Sequence, residues 1–455
     1  MASARQETPR TVALDVLWAV GDSDAYANLL LPPRIAAAGL DERDAGLATE
    51  LTYGTLRRRG LYDVIIGLAA ARRIEAIDAR SLDILRLGTH QLLAMRIPAH
   101  AAVGETMQLV RKESAKGFVN GVLRAISRTE PEDWIEQAIA TAKTGEEALA
   151  IEHSHPLWIV RALRQTLVAE GREAELPQAL AADNVAPAVS LVALPGRSSV
   201  ADLVELGART SPYSPVGALL SGGDPVRLEP VALGRARVQD EGSQLAALAL
   251  SRARDIEPGE RWLDLCAGPG GKAALLAAEA ERGSATLAAN ELVPARVGLV
   301  RKALAPFGDA VRVVESDGTT FGDREPAAFD RVLLDAPCTG LGALRRRPEA
   351  RWRKQPGDIP GLGDLQSRLL ASAIKAVRPG GLIAYVTCSP HAAETRAVVT
   401  AALRTHPELR ALDTQEVVQA VAREPLDLAP GTHAQLWPHR HGTDAMFIQL
   451  LTISR

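Results

Sequence analysis

The second half of the chain alternates strand-like and helix-like segments, and this alternation constrains the fold more than any other feature of the sequence. Short apolar runs stand at residues 262–265, 285–289, 311–314, 329–334 and 382–386, with helical patterns between them. Such alternation is typical of a mostly parallel sheet with helices on both faces. Two later runs, residues 434–437 and 445–452, are predicted to pair as closing antiparallel strands.

The first part of the chain is predicted to be helical. Between residues 8 and 128, apolar side chains recur at three- and four-residue spacing, as at Val12, Val16 and Leu17. One helix is expected to open after Gly117. Residues 153–234 combine a helix that begins near Pro156 with short apolar stretches separated by proline and glycine. The predicted domains are 1–135, a helical bundle; 136–235, a helical and α+β linker region; and 236–455, an α/β domain.

Composition limits the classes of protein that this chain can belong to. Its 455 residues are 47% hydrophobic, which is enough for several aliphatic cores. No apolar run approaches the roughly 20 residues that span a bilayer, and residues 1–10 lack the apolar segment of a secretory signal. We therefore expect a cytoplasmic protein without a membrane partner. Its three cysteines lack the spacing of a zinc site and are expected to be reduced.

Basic residues cluster although the net charge is only −3. One cluster occupies residues 57–59, and another occupies residues 345–347 with Arg351, Arg353 and Lys354. A run of charge is commonly a solvated face. The second cluster follows Cys338, however, at a place where the phosphates of a nucleic-acid substrate would need partners.

Two of the cysteines stand just after predicted strands. Cys338 lies in DAPC after residues 329–334, and Cys388 lies in TCSP after residues 382–386. Because ligands of open α/β sheets bind at the carboxyl ends of the strands, both thiols are expected at that edge. The alternative for any free cysteine is a small buried hydrophobe, and this is the stronger alternative for Cys266.

A glycine-rich segment, DLCAGPGGK at residues 264–272, indicates a strand, a tight turn and a helix. Its glycines allow close approach of the backbone to a ligand, and the helix N-terminus favours an anionic or electron-rich group. The turn lacks the GxGxxG order, and alanine follows Lys272 where a P-loop has Ser or Thr, so dinucleotides and triphosphates are disfavoured. A simple tight turn is the alternative.

Carboxylates follow three successive predicted strands. They are Glu291, Asp317 and Asp335, and Glu291 stands at the separation from the turn at which an acidic residue meets ribose hydroxyls. This set suits a cofactor with a ribose, an adenine and a cationic centre, and S-adenosylmethionine fits that description. For Asp317 alone, a helix N-cap is an equally good explanation.

The motifs DLCAGPGGK, DAPCTGLGALRRRPEARWR and TCSP together resemble the RNA cytosine-5 methyltransferases of the Fmu/Sun family. The front end, with KGFVNGVLRAI, resembles the NusB-like RNA-binding domain of the bacterial small-subunit ribosomal RNA enzymes in that family, and VQDEGSQ resembles the opening of their catalytic domain. The resemblance covers nearly the whole chain. It implies a multidomain fold with an all-α NusB-like bundle, a small α+β linker region and a C-terminal Rossmann-like class I methyltransferase domain with a mixed, mostly parallel sheet.

The resemblance also implies a reaction and a set of residues. The reaction is methyl transfer from S-adenosylmethionine to carbon 5 of a cytosine in 16S ribosomal RNA. Cys388 is the implied nucleophile, Cys338 assists proton removal or release, and Asp335 contacts cytosine N3. A reactive thiol needs a cation or hydrogen-bond donors, for which Thr387, Ser389 and the arginines after Cys338 are candidates. The implied cofactor residues are Cys266, Ala267, Gly268, Pro269, Gly270, Gly271, Lys272, Glu291, Arg296, Asp317 and Asp335.

Some positions leave alternatives open. Arg296 suits a solvated helix arginine nearly as well as a cofactor ligand, and Glu291 replaces the commoner Asp of the family pattern, although either carboxylate can hold a diol. Three histidines, His433, His439 and His441, are expected in a polar surface loop rather than at a metal, because no acidic or cysteine partner has the matching spacing.

Two rival functions remain at the level of sequence. One is an RNA-binding or ribosome-assembly factor whose methyltransferase fold is inactive, and the other is methylation of DNA or protein. The presence of both cysteines, Asp335 and the glycine-rich turn favours an active enzyme. We expect its partner to be small-subunit ribosomal RNA, structured or unassembled, and not DNA, and we expect the chain to be a monomer.

Overall fold

The computed structural model describes residues 7–23 and 25–454, which form two compact units. The first unit holds the described residues up to Arg164, with Ala174–Ala186 and Leu344–Lys354. The second holds Gln165–Glu173, Pro187–Ala343 and the described residues from Gln355 onward. The three domains with limits at residues 135 and 235 stay a prediction. Of the segment predicted to lack a secretory signal, residues 1–6 lie outside the described residues.

The elements follow one another in this order along the chain. The helices are α1 (Pro9–Ser23), α2 (Ala27–Ala37), α3 (Glu42–Arg57), α4 (Arg59–Ala70), α5 (Ala79–Leu93), α6 (Ala99–Met107), α7 (Glu113–Ile126), α8 (Pro131–Ile139), α9 (Gly145–Glu152), α10 (Leu157–Ala169), α11 (Leu176–Ala182), α12 (Val200–Glu205), α13 (Glu229–Ala232), α14 (Glu241–Ser251), α15 (Gly271–Arg282), α16 (Pro294–Leu304), α17 (Phe321–Arg324), α18 (Ala350–Arg353), α19 (Asp358–Ala376), α20 (Arg396–Thr405), α21 (Thr414–Val421) and α22 (Pro438–His441). The strands are β1 (Val189–Ala193), β2 (Ala208–Thr210), β3 (Gly217–Leu220), β4 (Ala236–Val238), β5 (Arg261–Asp264), β6 (Thr286–Glu291), β7 (Val311–Glu315), β8 (Phe329–Asp335), β9 (Val377–Thr387), β10 (Leu409–Ala411), β11 (Ala434–Gln435) and β12 (Phe447–Ile453). Among the described residues, none of the helices has the length and apolar character needed to cross a membrane.

The first unit is helical throughout its regular structure, as the apolar spacing predicted. Its helices bury one aliphatic core, in which Leu14, Leu51, Ile65, Leu85 and Leu123 have no exposed surface. Side-chain caps mark where some helices begin. Asp41 accepts a hydrogen bond at the start of α3 and Asp78 does so at the start of α5, which satisfies amide groups that have no partner inside the helix.

Helix α7 begins earlier than the sequence predicted. The expectation was a start after Gly117, whereas the helix begins at Glu113 and includes that glycine. An acidic side chain in the first turn suits the positive end of the helix dipole. The apolar face formed by Val119, Val122 and Leu123 is buried, and this packing outweighs the unfavourable helix propensity of one glycine.

The basic cluster after Cys338 is in large part structural. Arg351, expected as a partner for phosphates, is fully buried within the first unit. Its guanidinium donates to the carbonyl oxygens of Arg57, Ser154 and Asp183 and to the side chain of Asn184. Burial lowers the pKa of this guanidinium to about 10. The prediction of a phosphate contact is wrong for Arg351, because backbone carbonyls already use its donors.

Replacement of Arg351 by methionine should destabilise the first unit. The change leaves at least three buried carbonyl groups without their donor, at a cost of about 3 kcal/mol in the free energy of unfolding. Urea unfolding of the full chain measures it. Arg347→Met is the matched control, because Arg347 is exposed in the same segment and stacks over Tyr26, so its loss costs less than about 1 kcal/mol. Equal effects of the two substitutions would contradict the structural role of Arg351.

The second unit contains two sheets. A small antiparallel sheet has the order β2-β3-β1-β4. The larger sheet has eight strands in the order β10-β12-β9-β8-β5-β6-β7, with β11 paired to β12. The five strands predicted from the apolar runs are β5, β6, β7, β8 and β9, and they are mutually parallel. The expectation of a mixed, mostly parallel sheet is therefore confirmed.

Helices cover both faces of the larger sheet. Leu333 of β8 belongs to one core, whereas its neighbours Val332 and Leu334 belong to the other, as the alternation of side chains along a strand requires. The first core includes α14 and α15, and the second includes α19 and α20. Because both faces are buried, the parallel strands have continuous apolar sequences.

A buried ion pair lies toward the beginning of the parallel strands. Arg331 of β8 has no exposed side-chain surface, and its Nε lies 2.7 Å from the carboxylate of Glu260, which directly precedes β5. The same guanidinium donates to the carbonyl oxygens of Leu250, Ser251 and Asp255. Every charge in this group therefore has close partners, which a buried ion pair needs in order to be stable.

The closing strands pair as predicted, but the loop between them differs from the expectation. Strand β11 lies antiparallel to β12. The histidine loop was expected to be a polar surface loop, whereas His441 is buried and accepts a hydrogen bond at Nδ1 from the Trp437 amide. Burial lowers the pKa of both His433 and His441 to about 4. The expectation of a surface loop is wrong for His441, because its neutral imidazole is buried and bonds to the backbone of its own turn.

Candidate active site

The carboxyl ends of the parallel strands form one edge of the larger sheet. Strand β5 lies between β6 and β8, so the chain runs outward in both directions from this strand. In open α/β sheets a crevice for ligands forms at such a switch point. The glycine-rich turn follows β5 and leads into α15, and it therefore stands at the centre of this edge.

Two glycines of the turn are required by their surroundings. A Cβ atom at Gly268 would lie 2.3 Å from Oε2 of Glu291. Gly270 has a φ of +105°, and a Cβ there would lie 2.6 Å from that of Ala303. The turn can therefore pack closely on β6 and α16 only without side chains at these two positions.

The acidic residues at the strand ends are placed as the sequence predicted, with different partners. Glu291 ends β6 and accepts hydrogen bonds from the amides of Gly268 and Val293. Asp317 follows β7 and caps a short turn through Oδ1, which accepts from the Thr319 amide. The exposed side chain of Arg296 begins beside Gly268. Glu291 thus holds the turn in place, and Asp317 combines an N-cap with a position at the ligand-binding edge.

Asp264, at the end of β5, is a residue that the sequence analysis did not single out. It is buried, and among the described residues neither of its side-chain oxygens has a hydrogen-bond partner. Burial, together with the negative charge of Asp335, raises the pKa of Asp264 to about 8. A buried carboxyl group without a partner is suited to a cationic ligand, because such a ligand supplies the missing charge.

Lys272 connects the glycine-rich turn to the next strand end. Its Nζ atom lies 2.8 Å from Oδ2 of Asp335, and the lysine side chain is only 10% exposed. Burial disfavours the charged amine, but Asp335 outweighs it and raises the pKa of Lys272. The same ammonium interacts electrostatically with Cys388. The sequence placed Lys272 only in the cofactor turn, so its ion pair with Asp335 is new.

The two predicted reactive cysteines meet at this edge. Cys338 stands three residues after β8 and Cys388 directly after β9, and their Sγ atoms lie 3.4 Å apart. Both side chains are half-buried. The hydrogen bond with Cys388, burial and nearby negative charge raise the pKa of Cys338 well above its ordinary value. The pair is therefore arranged so that one sulfur can be charged while the other keeps its proton.

The remaining predicted residues occupy supporting positions. Cys266 lies in the turn and packs against the core, where burial and the surrounding carboxylates raise the pKa of its thiol. Thr387 and Ser389, expected as donors to Cys388, have other partners: Thr387 donates to the carbonyl of Ser389, and Ser389 donates to Glu394. Within residues 7–23 and 25–454, no group of three or more His, Cys, Asp or Glu side chains could hold a metal ion.

This edge has the features that S-adenosylmethionine requires. The partnerless carboxyl of Asp264 suits a positive centre, the glycines leave backbone accessible, and Glu291 and Asp317 carry further oxygens at the neighbouring strand ends. A mostly parallel sheet with this turn at its switch point is the site of a nucleotide-like cofactor, and the residues around the turn fit S-adenosylmethionine.

Comparisons with known proteins specify the family. Residues 252–452 match the model of 16S rRNA methyltransferase RsmB/F, and residues 7–128 match the NusB family. A putative methyltransferase of Mycobacterium tuberculosis is 50% identical over 447 residues, which cover 97% of this chain and 96% of that protein. Ribosomal RNA small subunit methyltransferase B of Pseudomonas putida is 35% identical over 92% of this chain and 93% of its own. The chain belongs to the RsmB/F family of ribosomal RNA methyltransferases and carries a NusB-family domain at its front.

Solved structures share the fold. The crystal structure of PH0851 has a TM-score of 0.79 at 22% identity and covers 99% of both chains. The structure of NSun6 from Pyrococcus horikoshii, solved with the S-adenosylmethionine analogue SFG, has a TM-score of 0.53 at 17% identity and covers 65% of this chain and 98% of its own. Membership of the family confirms the predicted cofactor, S-adenosylmethionine, and the comparisons also confirm the NusB-like helical domain and the Rossmann-like methyltransferase fold.

The raised pKa of Asp264 predicts how stability depends on pH. In the unfolded chain this group ionises near its ordinary pKa of 3.8, whereas the folded protein holds the proton up to about pH 8. Between these values the folded state binds more protons, so this group reduces stability progressively as pH rises. Asp264→Asn removes the effect. Without cofactor, the melting temperature of D264N relative to the unsubstituted protein should rise between about pH 5.5 and about pH 8.5. Parallel pH profiles of the two proteins would contradict it.

Proposed function

We propose that this protein methylates carbon 5 of a cytosine in 16S ribosomal RNA through a covalent bond between Cys388 and carbon 6 of the base. Membership of the family supplies the coarser activity, S-adenosylmethionine-dependent methylation of ribosomal RNA. The observation that carries the finer proposal is the 3.4 Å separation of the Cys338 and Cys388 sulfur atoms at the cofactor edge. Methyl transfer to a nitrogen or to a ribose hydroxyl would need no thiol there.

The chemistry of cytosine explains the need for a thiolate. Carbon 5 is a poor nucleophile, so the Cys388 thiolate first forms a bond to carbon 6, and the C5–C6 electron pair becomes available at carbon 5. S-adenosylmethionine supplies the methyl group from its sulfonium centre. Loss of the carbon 5 proton then returns the electron pair to the C5–C6 bond, which expels Cys388 as a thiolate.

Cys338 takes the carbon 5 proton in this proposal. At the start it is a thiol, because the charged Cys388 beside it disfavours a second thiolate. Cys388 loses its charge when it bonds to carbon 6. Cys338 can then release its own proton to solvent, accept the proton from carbon 5 and so permit release of the product.

Lys272 and Asp335 are proposed to stabilise the charges that form during the reaction. The Lys272 ammonium favours a thiolate at Cys388. Asp335 is proposed to contact cytosine N3 and, in its protonated form, to donate a hydrogen bond to this nitrogen as negative charge develops on it during attack at carbon 6. The pKa of Asp264, raised to about 8, places a proton in the same cluster of carboxyl groups at neutral pH.

The proposed cofactor residues surround the turn after β5. Glu291 is assigned to the ribose hydroxyls, Asp317 to the adenine amino group, and Asp264 to the positive centre. Arg296, which starts beside Gly268, is an additional contact. The complete set is Cys266, Ala267, Gly268, Pro269, Gly270, Gly271, Lys272, Glu291, Arg296, Asp317 and Asp335, together with Asp264.

The NusB-family domain is proposed to bind the RNA. Small-subunit ribosomal RNA, structured or unassembled, is the proposed partner, because the relatives from Pseudomonas putida and Bacillus subtilis have names that refer to the small subunit. A cytoplasmic monomer that acts on RNA, and not on DNA or membranes, remains our expectation.

Substitution of the two cysteines tests the mechanism. Cys388→Ala should abolish methyl transfer to RNA, because it removes the thiolate that is proposed to attack carbon 6. Cys338→Ala should leave a covalent protein–RNA adduct that survives a denaturing gel, since release is blocked. Transfer of radiolabelled methyl groups, followed by identification of the modified nucleoside, measures both.

The same assay separates the rival functions. An unsubstituted protein that transfers no methyl group would support an inactive assembly factor. Label recovered in DNA or protein would change the substrate class, and full turnover in both cysteine variants would refute the two-thiol mechanism.

Substitution of Lys272 tests the activation of Cys388. Lys272→Gln removes the cation that interacts with the thiol, so alkylation of Cys388 by iodoacetamide near neutral pH should slow about tenfold. Mass spectrometry of the cysteine-containing peptides at successive times measures the alkylation rate. Lys302→Gln is the control, because Lys302 is an exposed lysine of α16. An unchanged rate at Cys388 in the Lys272 variant would remove this lysine from the proposal.

A further inference from the structure

A buried carboxylate bridges the two loops that carry the cysteines. Glu394 has no exposed surface, although it is an acidic residue only six positions after Cys388. The amide of Thr339 donates to its Oε1 at 2.7 Å, and the hydroxyl of Ser389 donates to its Oε2 at 2.7 Å. Thr339 directly follows Cys338, and Ser389 directly follows Cys388. One side chain is therefore bonded to the neighbour of each reactive residue.

Additional bonds close this arrangement. The Thr339 hydroxyl also donates to Oε2 and lies 3.2 Å from the Ser389 hydroxyl. Gln366 of α19 donates to Oε1 of Glu394 and to the carbonyl of Pro337, one residue before Cys338. The backbone carbonyl of Glu394 accepts a bond from the Tyr385 hydroxyl on β9. Glu394 is thus fixed from the helix, from the strand and from both cysteine loops.

The partners indicate the charge of the group. Every bond to the two carboxyl oxygens comes from an amide or hydroxyl donor, which is the pattern of an ionised carboxylate. Burial of such a charge is costly unless it is fully hydrogen-bonded. An amide or an apolar side chain could fill the same volume without that cost, so the charge itself calls for an explanation.

The position of Glu394 explains why a charged group is buried there. Residues 336–340 and 388–391 have no regular secondary structure, so the pairing of β8 with β9 ends before either sulfur atom. Beyond the strands, Glu394 accepts bonds from the residues after both cysteines, whose hydroxyl groups also contact each other. Its charge also contributes, behind Cys388 and burial, to the raised pKa of Cys338.

We propose that Glu394 is a positioning residue: through its bonds to the residue after each cysteine, it holds the Cys338 and Cys388 sulfur atoms together and keeps a fixed negative charge near them. The inference rests on the two-thiol mechanism proposed above. It assigns to one buried carboxylate both the spacing of the pair and a negative charge near it. Glu394 itself touches neither the substrate nor the cofactor.

Glu394→Gln tests the proposal, because it keeps the volume and most hydrogen bonds but removes the charge. The readout is the rate of iodoacetamide alkylation at Cys338 as a function of pH, resolved by mass spectrometry on the full-length protein. We expect the profile of Cys338 to move to lower pH by about one unit, since a nearby negative charge no longer opposes the thiolate. We also expect kcat to fall about tenfold or more, with KM for S-adenosylmethionine unchanged within about twofold.

A matched control separates charge at the cysteines from general loss of stability. Glu260→Gln also replaces a buried glutamate, but Glu260 pairs with Arg331 before the start of β5. This variant should melt at a lower temperature while the Cys338 profile keeps its position. A shift in both variants would mean that the profile reports loosening of the fold, and it would overturn the inference.

An unchanged Cys338 profile in Glu394→Gln overturns the inference whatever happens to turnover, because a purely structural glutamate would affect stability alone. If that variant does not fold, Ser389→Ala decides. It removes one donor that neutralises the carboxylate, so the Cys338 profile should move to higher pH, and no movement refutes the role. Alkylation needs no turnover, so its result is independent of the proposed reaction. Failure of that reaction would appear instead as an absence of adduct in Cys338→Ala.

Discussion

The parallel pairing of β5 with β8 and of β8 with β9 is the constraint on which the remainder of the site depends. Because these strands run in the same direction and are in register, their last residues reach one edge of the sheet together. Residues separated by more than 100 positions in sequence, such as Asp264 and Cys388, thereby share one small region. The apolar cores on both faces of the sheet hold the strands rigid. The site then needs only short loops, which carry the chemistry on a firm support.

Several acidic groups lie close together at this edge and disfavour one another's ionisation. Such a cluster suits a reaction in which the charges of the reacting groups change. The negative charge of Asp335 opposes ionisation of the buried Asp264, and the ion pair of Lys272 is with Asp335. Cys388 interacts electrostatically with the same lysine, and Cys338 interacts with a further buried carboxylate, Glu394. A cluster of this kind is costly for the folded state, as perturbed groups at functional sites commonly are. Binding of a positively charged methyl donor would relieve part of that cost.

Much of the fold was accessible from the pattern of apolar residues. For the five predicted strands, most of the predicted ends lie within a few residues of the observed ends. The approach of Cys338 to Cys388 followed from their positions after parallel strands. Arg351 was misjudged, because a run of arginines looks the same whether its partners are phosphates or carbonyl groups distant in sequence. Glu394 was missed for a similar reason. Its importance lies in bonds to Thr339 and Ser389, which no spacing along the chain indicates. Asp264 was missed as well, because its burial without hydrogen-bond partners cannot be recognised from the sequence.

The assignment of Leu344–Lys354 to the first unit affects how the protein can be made. During synthesis, the ribosome releases the front helices hundreds of residues before Arg351 emerges. Until then, the carbonyl groups of Arg57, Ser154 and Asp183 lack the guanidinium that donates to them in the folded protein. The helical unit is therefore completed late, after the first strands of the catalytic sheet have left the ribosome. A gene fragment that stops at the end of the helical region would encode a unit that lacks its own central arginine.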